Sequence, residues 1–239
     1  MNTPLPKDFV ATERERLLEA YQKLPLSLTP EIYAPWQPAE QLAREERKRV
    51  AARLLRRRGS FPGAQHSCLE VGCGTQGWLG ELASWGVAQR NLHGIELDST
   101  RVEAARTCLP LADIRVGDAT NMPWEDARFH LVIASTVFSS ILDARVRSLL
   151  AREIVRVLAS GGVLLWYDFA FNNPRNPHVR RVSRHEIRTL FPDLTGPIQS
   201  VTLAPPLARA IAPRSWIAAT VLQAVPLLRT HLLAVLEKS

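Results

Sequence analysis

The chain has 239 residues, 46% apolar and 22% charged, and carries 30 basic against 23 acidic residues for a formal charge of +7. That balance is ordinary for a globular protein and excludes a disordered or fibrous description of the whole. The length suits one α/β domain with an elaborated end better than two full domains.

In chain order, residues 1–38 are rich in Pro and offer one short helical stretch, 11–22. The opening residues MNTPLPKDFVATERER lack the apolar centre of a signal peptide. Residues 40–58 read as an amphipathic helix with Leu42, Val50, Leu54 and Leu55 on one stripe and Gly59 as its stop. Short apolar runs follow at 68–71, 92–95, 113–116, 129–134 and 163–167, with helical stretches at 78–85, 99–108 and 144–158 between several of them. Strand alternating with helix implies crossover connections and a mostly parallel sheet. Gly161-Gly162 is expected to separate the helix 144–158 from the fifth strand. Two further strands, 198–203 and 230–236, flank a Pro-punctuated helical insert at 205–228. The longest apolar stretch, 216–228, is broken by Gln223 and Pro226 and is shorter than the roughly 20 residues that span a bilayer as a helix. No membrane span and a cytoplasmic location are therefore expected. Cys68, Cys73 and Cys108 form no CxxC pair, so neither a disulfide framework nor a metal site is expected.

The sharpest signal is Leu69-Glu70-Val71-Gly72-Cys73-Gly74-Thr75-Gln76-Gly77, directly after a strand and before a helix. Glycines there allow a tight turn and close backbone approach to a ligand at a helix N-terminus. Gly72, Gly74 and Gly77 also fit the dinucleotide pattern GxGxxG. Glu70 separates the readings: a carboxylate two residues before the first glycine opposes a pyrophosphate but suits a ligand with an ammonium group. The second strand closes with Gly94-Ile95-Glu96-Leu97-Asp98 and the third with Gly117-Asp118-Ala119. An acid at the second strand end can accept from both ribose hydroxyls, and open α/β sheets bind ligands at this carboxyl edge.

These motifs resemble the class I S-adenosylmethionine-dependent methyltransferases over residues 66–170, through LEVGCGTQG, GIELD, GDA and REIVRVLASGGVLLWYD. The resemblance implies a doubly wound, Rossmann-like α/β sheet of seven strands, the last antiparallel, with helices on both faces. Residues 61–239 would form that domain and 1–60 a helical cover, with Tyr21, Tyr33 and Trp36 as aromatic groups of a lid or of a packed arm. It implies S-adenosylmethionine as cofactor and S-adenosylhomocysteine as product. Glu70 with the Gly72, Cys73 and Gly74 backbone would hold the methionine end, Glu96 the ribose and Leu97 the adenine face. Asp118 and Ala119 would read the adenine edge, and Ser135 would line the methyl side. Gln76 stands where the family usually has a third alternate glycine. The flanks, STVFSSILD and WYDFAFNNPRNPHVRRVSRHEIRTLFP among them, look like a bacterial subgroup of largely unassigned substrate.

The segment leaving the fifth strand is expected to floor the acceptor site. It holds Asn172, Arg180 and Arg181 as substrate-binding candidates, and His178 and Asp168 as candidate bases. Arg184 and Arg188 fit an exposed helix face with Ser183 as its cap. Of the basic residues only Lys7, Lys23, Lys48 and Lys238 are Lys; the rest are Arg. Such an excess suits planar, bidentate partners or reflects the source genome. The expected reaction is methyl transfer to an oxygen of a small polar acceptor, a saccharide or another metabolite with an anionic group. An RNA or protein methyltransferase is the alternative enzyme reading, although no separate nucleic-acid module is visible. A non-catalytic binding protein that keeps the fold is the alternative from another class.

Overall fold

A computed structural model of the protein describes residues 8–22, 34–75, 77–173 and 176–239. Helices α1 (Asp8–Gln22) and α2 (Pro38–Arg57) precede an alternation of β1 (Cys68–Val71), α3 (Trp78–Ser84), β2 (Leu92–Glu96), α4 (Ser99–Cys108), β3 (Asp113–Val116) and β4 (Phe129–Ser135). Then come α5 (Ala144–Val157), β5 (Leu158–Phe169), α6 (Arg184–Leu190), β6 (Leu194–Thr195) and β7 (Ile198–Leu203). Two short helices, α7 (Pro205–Ile211) and α8 (Trp216–Gln223), lead into β8 (Arg229–Lys238).

The sheet runs β3-β2-β1-β4-β5-β8-β6, with β7 also on β8. Strands β1 to β5 are parallel, and their ends stay in step: Val71 lies beside Ile95 and Ala134, and Ser135 beside Tyr167. One edge of the sheet therefore collects the carboxyl ends of all five, as ligand binding in doubly wound folds requires. The last strand, β8, is antiparallel to β5.

Two expectations are corrected here. The sheet has an eighth strand beyond the seven expected: the strand 198–203 is found as β7, and a two-residue strand, β6, precedes it, both antiparallel to β8 and separated at Gly196-Pro197. Gly196 has φ 155°, and a Cβ on it would lie 2.0 Å from the Val235 carbonyl oxygen, so only glycine lets the chain pass that close. The fifth strand begins at Leu158, not 163. Helix α5 stops at Val157, and the register shifts between Phe129 and Leu131 of β4. Gly161, at φ 70°, and Gly162, whose Cβ would meet the Phe129 carbonyl at 2.9 Å, sit within this irregular start of β5 and do not terminate the helix.

Each face of the sheet has its own core. On one, Leu150 and Ile154 of α5, Ile187 of α6 and Leu17 of α1 pack with Trp166, Phe138 and Phe191. On the other, Val50, Leu54 and Leu55 of α2, Leu82 of α3 and Val102 of α4 cover Cys68, Leu131, Leu165 and Val235. Each fully buried aliphatic side chain contributes about 1.5–3 kcal/mol. The two N-terminal helices thus lie on opposite faces. A buried glutamate fastens each: Glu13 of α1 accepts from the Leu142 amide at 2.5 Å, and Glu46 of α2 accepts from the Thr202 amide at 2.7 Å and from Gln223 Nε2 at 2.8 Å. Leu42, Leu203, Ala208, Ala212 and Ala219 form a small third core that joins α2 to α7 and α8.

Candidate cofactor and acceptor site

At the carboxyl edge β1 turns sharply into α3. Gly72 (φ 64°) and Gly74 (φ 57°) occupy the left-handed region that side chains avoid. The turn is tied to the next strand, since the Gly72 and Cys73 amides donate to the Ile95 carbonyl at 2.8 and 3.3 Å. Cys73 offers the crevice only backbone. Its side chain is buried against Gly94, where a Cβ would come within 2.9 Å of its sulfur.

Glu70 is buried behind this turn, under the first turn of α3, and its Oε2 accepts from the Leu79 amide at 3.0 Å. A Cβ on Gly77 would lie 2.2 Å from Glu70 Oε1, so the third glycine of the pattern makes room for the carboxylate. Gln76 lies outside the described residues. Burial pushes the Glu70 carboxyl up to about 8, against the pull of the Trp78 and Leu79 amides and of Arg47. Arg47, on α2, holds its guanidinium 5.3 Å from the Trp78 ring centre and 4.9 Å from that of Tyr167. Its buried Nε has no hydrogen-bond partner among the described residues. Sequence reading missed Arg47, because nothing distinguishes it from the other arginines of α2.

The two acids of Gly94-Ile95-Glu96-Leu97-Asp98 divide their roles. Glu96 is buried and bridges the strand end to the glycine turn, accepting from the Gly74 amide at 3.0 Å and the Leu97 amide at 2.8 Å. Asp98 instead caps α4 through the Thr100 and Arg101 amides. Asp118 is half-buried and takes both the amide and the hydroxyl of Thr120 at 2.8 Å. Leu97 and Ala119 are partly buried against one apolar cluster, which Val137 also joins. Glu70, Gly72, Gly74, Glu96, Leu97, Asp118 and Ala119 therefore lie along one crevice edge, and Ser135 closes β4 on the same edge.

After Ser135 the chain does something the sequence does not announce. Thr136 adopts φ 58°, a conformation that costs a β-branched residue about 1–3 kcal/mol. It is held there by its amide, which donates to the Tyr167 carbonyl at 2.7 Å, and by its hydroxyl, which donates to the Ser135 carbonyl. The following Val137 then stands against Gly72.

Asp168 is enclosed at 1% exposure, and its two oxygens accept from the Ser139 and Phe169 amides at 3.0 and 2.8 Å. Burial raises it to about 6. What it does is clamp the loop after β4 onto β5. His178 is exposed beyond β5, its amide donating to Asn176 Oδ1. Asn172, Arg180 and Arg181 come together, lining a cavity of about 250 Å³ with Ser183 and Glu186. Asn172 Oδ1 accepts from the Arg181 amide at 2.8 Å, and the Arg180 amide donates to the Ser139 carbonyl at 2.8 Å, so this loop is laced to the one after β4. Glu186 binds Arg180 at 2.5 Å and the buried Arg147 at 2.6 Å. Arg184 and Arg188 are committed elsewhere: the first donates to Ser200 Oγ and to the Ile198 carbonyl, the second to the Gly196 carbonyl. Of the aromatic groups near the N-terminus, Tyr33 and the Tyr21 side chain lie outside the described residues, and Trp36 is exposed.

Residues 69–166 match the family model described as a methyltransferase domain. A protein of Mycolicibacterium smegmatis named as an S-adenosylmethionine-dependent methyltransferase is 30% identical over 136 residues, which are 54% of this chain and 51% of that protein. A phthiotriol/phenolphthiotriol dimycocerosates methyltransferase of Mycobacterium ulcerans is 36% identical over 112 residues, 44% of this chain and 38% of its own. The chain thus spans about half, or less, of the length of these relatives. Among solved structures, geranyl diphosphate C-methyltransferase from Streptomyces coelicolor, crystallised with S-adenosylhomocysteine, superimposes with a TM-score of 0.60 at 16% identity over 80% of this chain and 78% of that one. The [4+2]-cyclase SpnF superimposes with a TM-score of 0.58 at 18% identity, over 80% and 81%. Likeness at that level speaks for the fold alone.

Proposed function

We propose that the chain is a class I S-adenosylmethionine-dependent methyltransferase that transfers the methyl group to an oxygen of a small acceptor bearing an anionic group, a reading supported by the methyltransferase-domain match over residues 69–166 and by the 30% identical relative. The observation that carries the acceptor class is the cavity beyond β5, where Arg180 and Arg181 share a wall with Asn172. A guanidinium pair beside an amide suits a phosphate or carboxylate with two or more oxygens.

The residues present fit the cofactor. The glycine turn presents main chain without side-chain cover, held in shape by the amides it gives to Ile95 and Glu96. The Glu70 carboxyl lies buried behind the turn, where an arriving ammonium would favour its ionised form, and the unsatisfied Arg47 Nε suits the neighbouring carboxylate of the methionine end. Glu96 would take the ribose hydroxyls, Leu97 and Ala119 the adenine faces, Asp118 the adenine edge, and Ser135 the methyl side. When bound, S-adenosylmethionine supplies an electrophilic methyl carbon on a sulfonium. In-line displacement then needs mainly a positioned oxygen. The Asn172, Arg180 and Arg181 wall fixes the acceptor by its anionic end. His178, exposed on the same loop, is the group that takes the hydroxyl proton. Asp168, closed within the loop amides, positions the floor and does not meet the acceptor.

Calorimetric titration with S-adenosylmethionine, S-adenosylhomocysteine and NAD tests the cofactor half. Glu96→Ala and Asp118→Ala should each weaken binding of the first two by about tenfold or more, with no binding of NAD. Incubation with labelled cofactor and a panel of phosphorylated and carboxylated hydroxy compounds tests the acceptor half. Product formed from neutral acceptors and unaffected by Arg180→Gln or Arg181→Gln would overturn it. Cofactor binding without turnover on any acceptor or on RNA would favour a binding protein that keeps only the fold.

A further inference from the structure

The insert between β7 and β8 is apolar on the side that the rest of the protein does not cover. Leu207, Trp216, Ile217, Val221, Val225 and Leu227 make six of the ten large apolar residues exposed among the described residues, and Ile217 and Leu227 are 78% and 93% exposed. A surface helix ordinarily turns a polar face to water. Helix α8, WIAATVLQ, instead buries Ala219 and Gln223 against α2 and α7 and leaves Trp216, Ile217 and Val221 outside. Exposed apolar residues concentrated in one segment in this way point to an interaction surface. The platform is built, since Gln223 is fixed to Glu46 and to the Leu42 carbonyl, and the Arg229 guanidinium is tied to the Gln223 and Ser200 carbonyls.

Charge identifies the partner. From position 194 to 236 the sequence contains no Asp or Glu, while the insert carries Arg209 and Arg214, both exposed. A second copy of the same surface, related by a two-fold axis, would bring arginines toward arginines without an acid in the segment to pair them. A lipid bilayer with anionic headgroups answers both halves of the pattern, with apolar side chains entering the acyl boundary and guanidinium groups meeting phosphates. Topology adds the reason such docking would matter. The strand β7, antiparallel to β8, runs parallel to β5, so the insert leaves the sheet at Leu203 and returns at Arg229 on the carboxyl edge. That is the edge on which the glycine turn, Glu96 and Ser135 lie.

We propose that residues 205–228 dock the protein on the surface of an anionic lipid bilayer, holding the mouth of the site against the membrane. The association is peripheral, for no helix among the described residues is long and apolar enough to cross a membrane. It does not depend on which atom is methylated.

The test is flotation of the whole chain with vesicles of phosphatidylcholine alone and of phosphatidylcholine with phosphatidylglycerol. Binding is expected only to the second, weakening as salt rises. The double variant Ile217→Glu/Leu227→Glu should lose about tenfold or more of it, and Arg209→Gln/Arg214→Gln should lose the preference for phosphatidylglycerol. Calorimetric binding of S-adenosylhomocysteine, unchanged in each variant, certifies that the domain is folded, because these residues lie outside the cofactor crevice. Equal binding to both vesicles would overturn the anionic requirement. No vesicle binding at all would overturn docking, and a dimer in solution that the Ile217→Glu/Leu227→Glu pair dissociates would assign the surface to a second copy.

Discussion

Two regions meet at the carboxyl edge of this sheet, and they are built on different principles. From Leu69 to Ser135 the site is made by backbone: glycines at positive φ, amides aimed across a turn, and acids at strand ends whose oxygens are fixed by main-chain hydrogen bonds. From Asp168 to Leu228 it is made by side chains on loops and short helices, with arginines lining a cavity and apolar residues on an uncovered face. The first is what the fold needs to hold one cofactor. The second is loop and short-helix surface, the part of a fold on which specificity is ordinarily placed.

The contrast breaks most violently at Gly77. Because a Cβ there would fall 2.2 Å from a buried carboxylate that cannot swing out, Gly77→Ala should destabilise the protein by about 2–4 kcal/mol and abolish measurable binding of S-adenosylhomocysteine. Thermal unfolding together with calorimetry decides it. An alanine variant that melts and binds as the parent does would remove Glu70 from its place under α3.

A smaller effect is expected on the other side, at Glu46. Replacing it by Ala leaves the buried Thr202 amide without its acceptor and Gln223 with only the longer bond to the Leu42 carbonyl, at a cost of about 1–3 kcal/mol. Here the two regions should part: the melting temperature falls and vesicle binding weakens with the loosened insert, while cofactor affinity stays within about twofold. A parallel loss of cofactor affinity would mean that the regions are one cooperative unit.

Much of the first region was legible because its requirements are written in residue type. Glycine at three spaced positions after a strand can mean little else than a turn, and acids at successive strand ends fall on one edge by topology alone. The departures came where context decides. No residue type predicts Thr136 in a left-handed conformation, which depends on the Tyr167 carbonyl waiting across the sheet. Nor does anything in the arginine-rich α2 mark Arg47, whose position follows from how that helix packs against α3 and Tyr167. Gly161-Gly162 reads as a helix stop and lies within β5, and the two-residue β6 is too short to leave a pattern in the sequence. In the second region the insert was recognisable from its prolines. Which of its faces would stay bare was not, because the covering helix α2 lies more than a hundred residues away along the chain.

The pH dependence of stability sharpens the comparison further. In the folded protein Glu70 holds its proton up to about 8, well above the ordinary carboxyl value of 4.5. Between those values the folded state keeps a proton that the unfolded chain has lost, so stability is present at low pH and declines as pH rises through that window, by at most about 1.4 kcal/mol per pH unit. Denaturant unfolding at a series of pH values should therefore show this slope in the parent and a flatter profile in Glu70→Gln. An identical slope in both would place the titration elsewhere, with Asp168, raised to about 6, the next group to replace.

The smallest expected change is the most discriminating about function. Glu186 is shared: it binds the exposed Arg180 at 2.5 Å and the buried Arg147 at 2.6 Å. Removing Arg180 leaves the buried pair intact, so Arg180→Gln should alter stability by no more than about 0.5 kcal/mol, as for other exposed ion pairs. Arg181 contributes only its amide to Asn172, an interaction the side-chain change does not touch. If these arginines hold the anionic end of the acceptor, each substitution should raise the acceptor KM by about three- to tenfold while kcat and the cofactor KM stay near their parent values, the pattern of lost uniform binding. A fall in kcat instead would mean that the wall orients the reacting oxygen. An unchanged KM would return Arg180 to being no more than the outer partner of Glu186, and would move the search for the acceptor's anchor to the apolar side of the same edge.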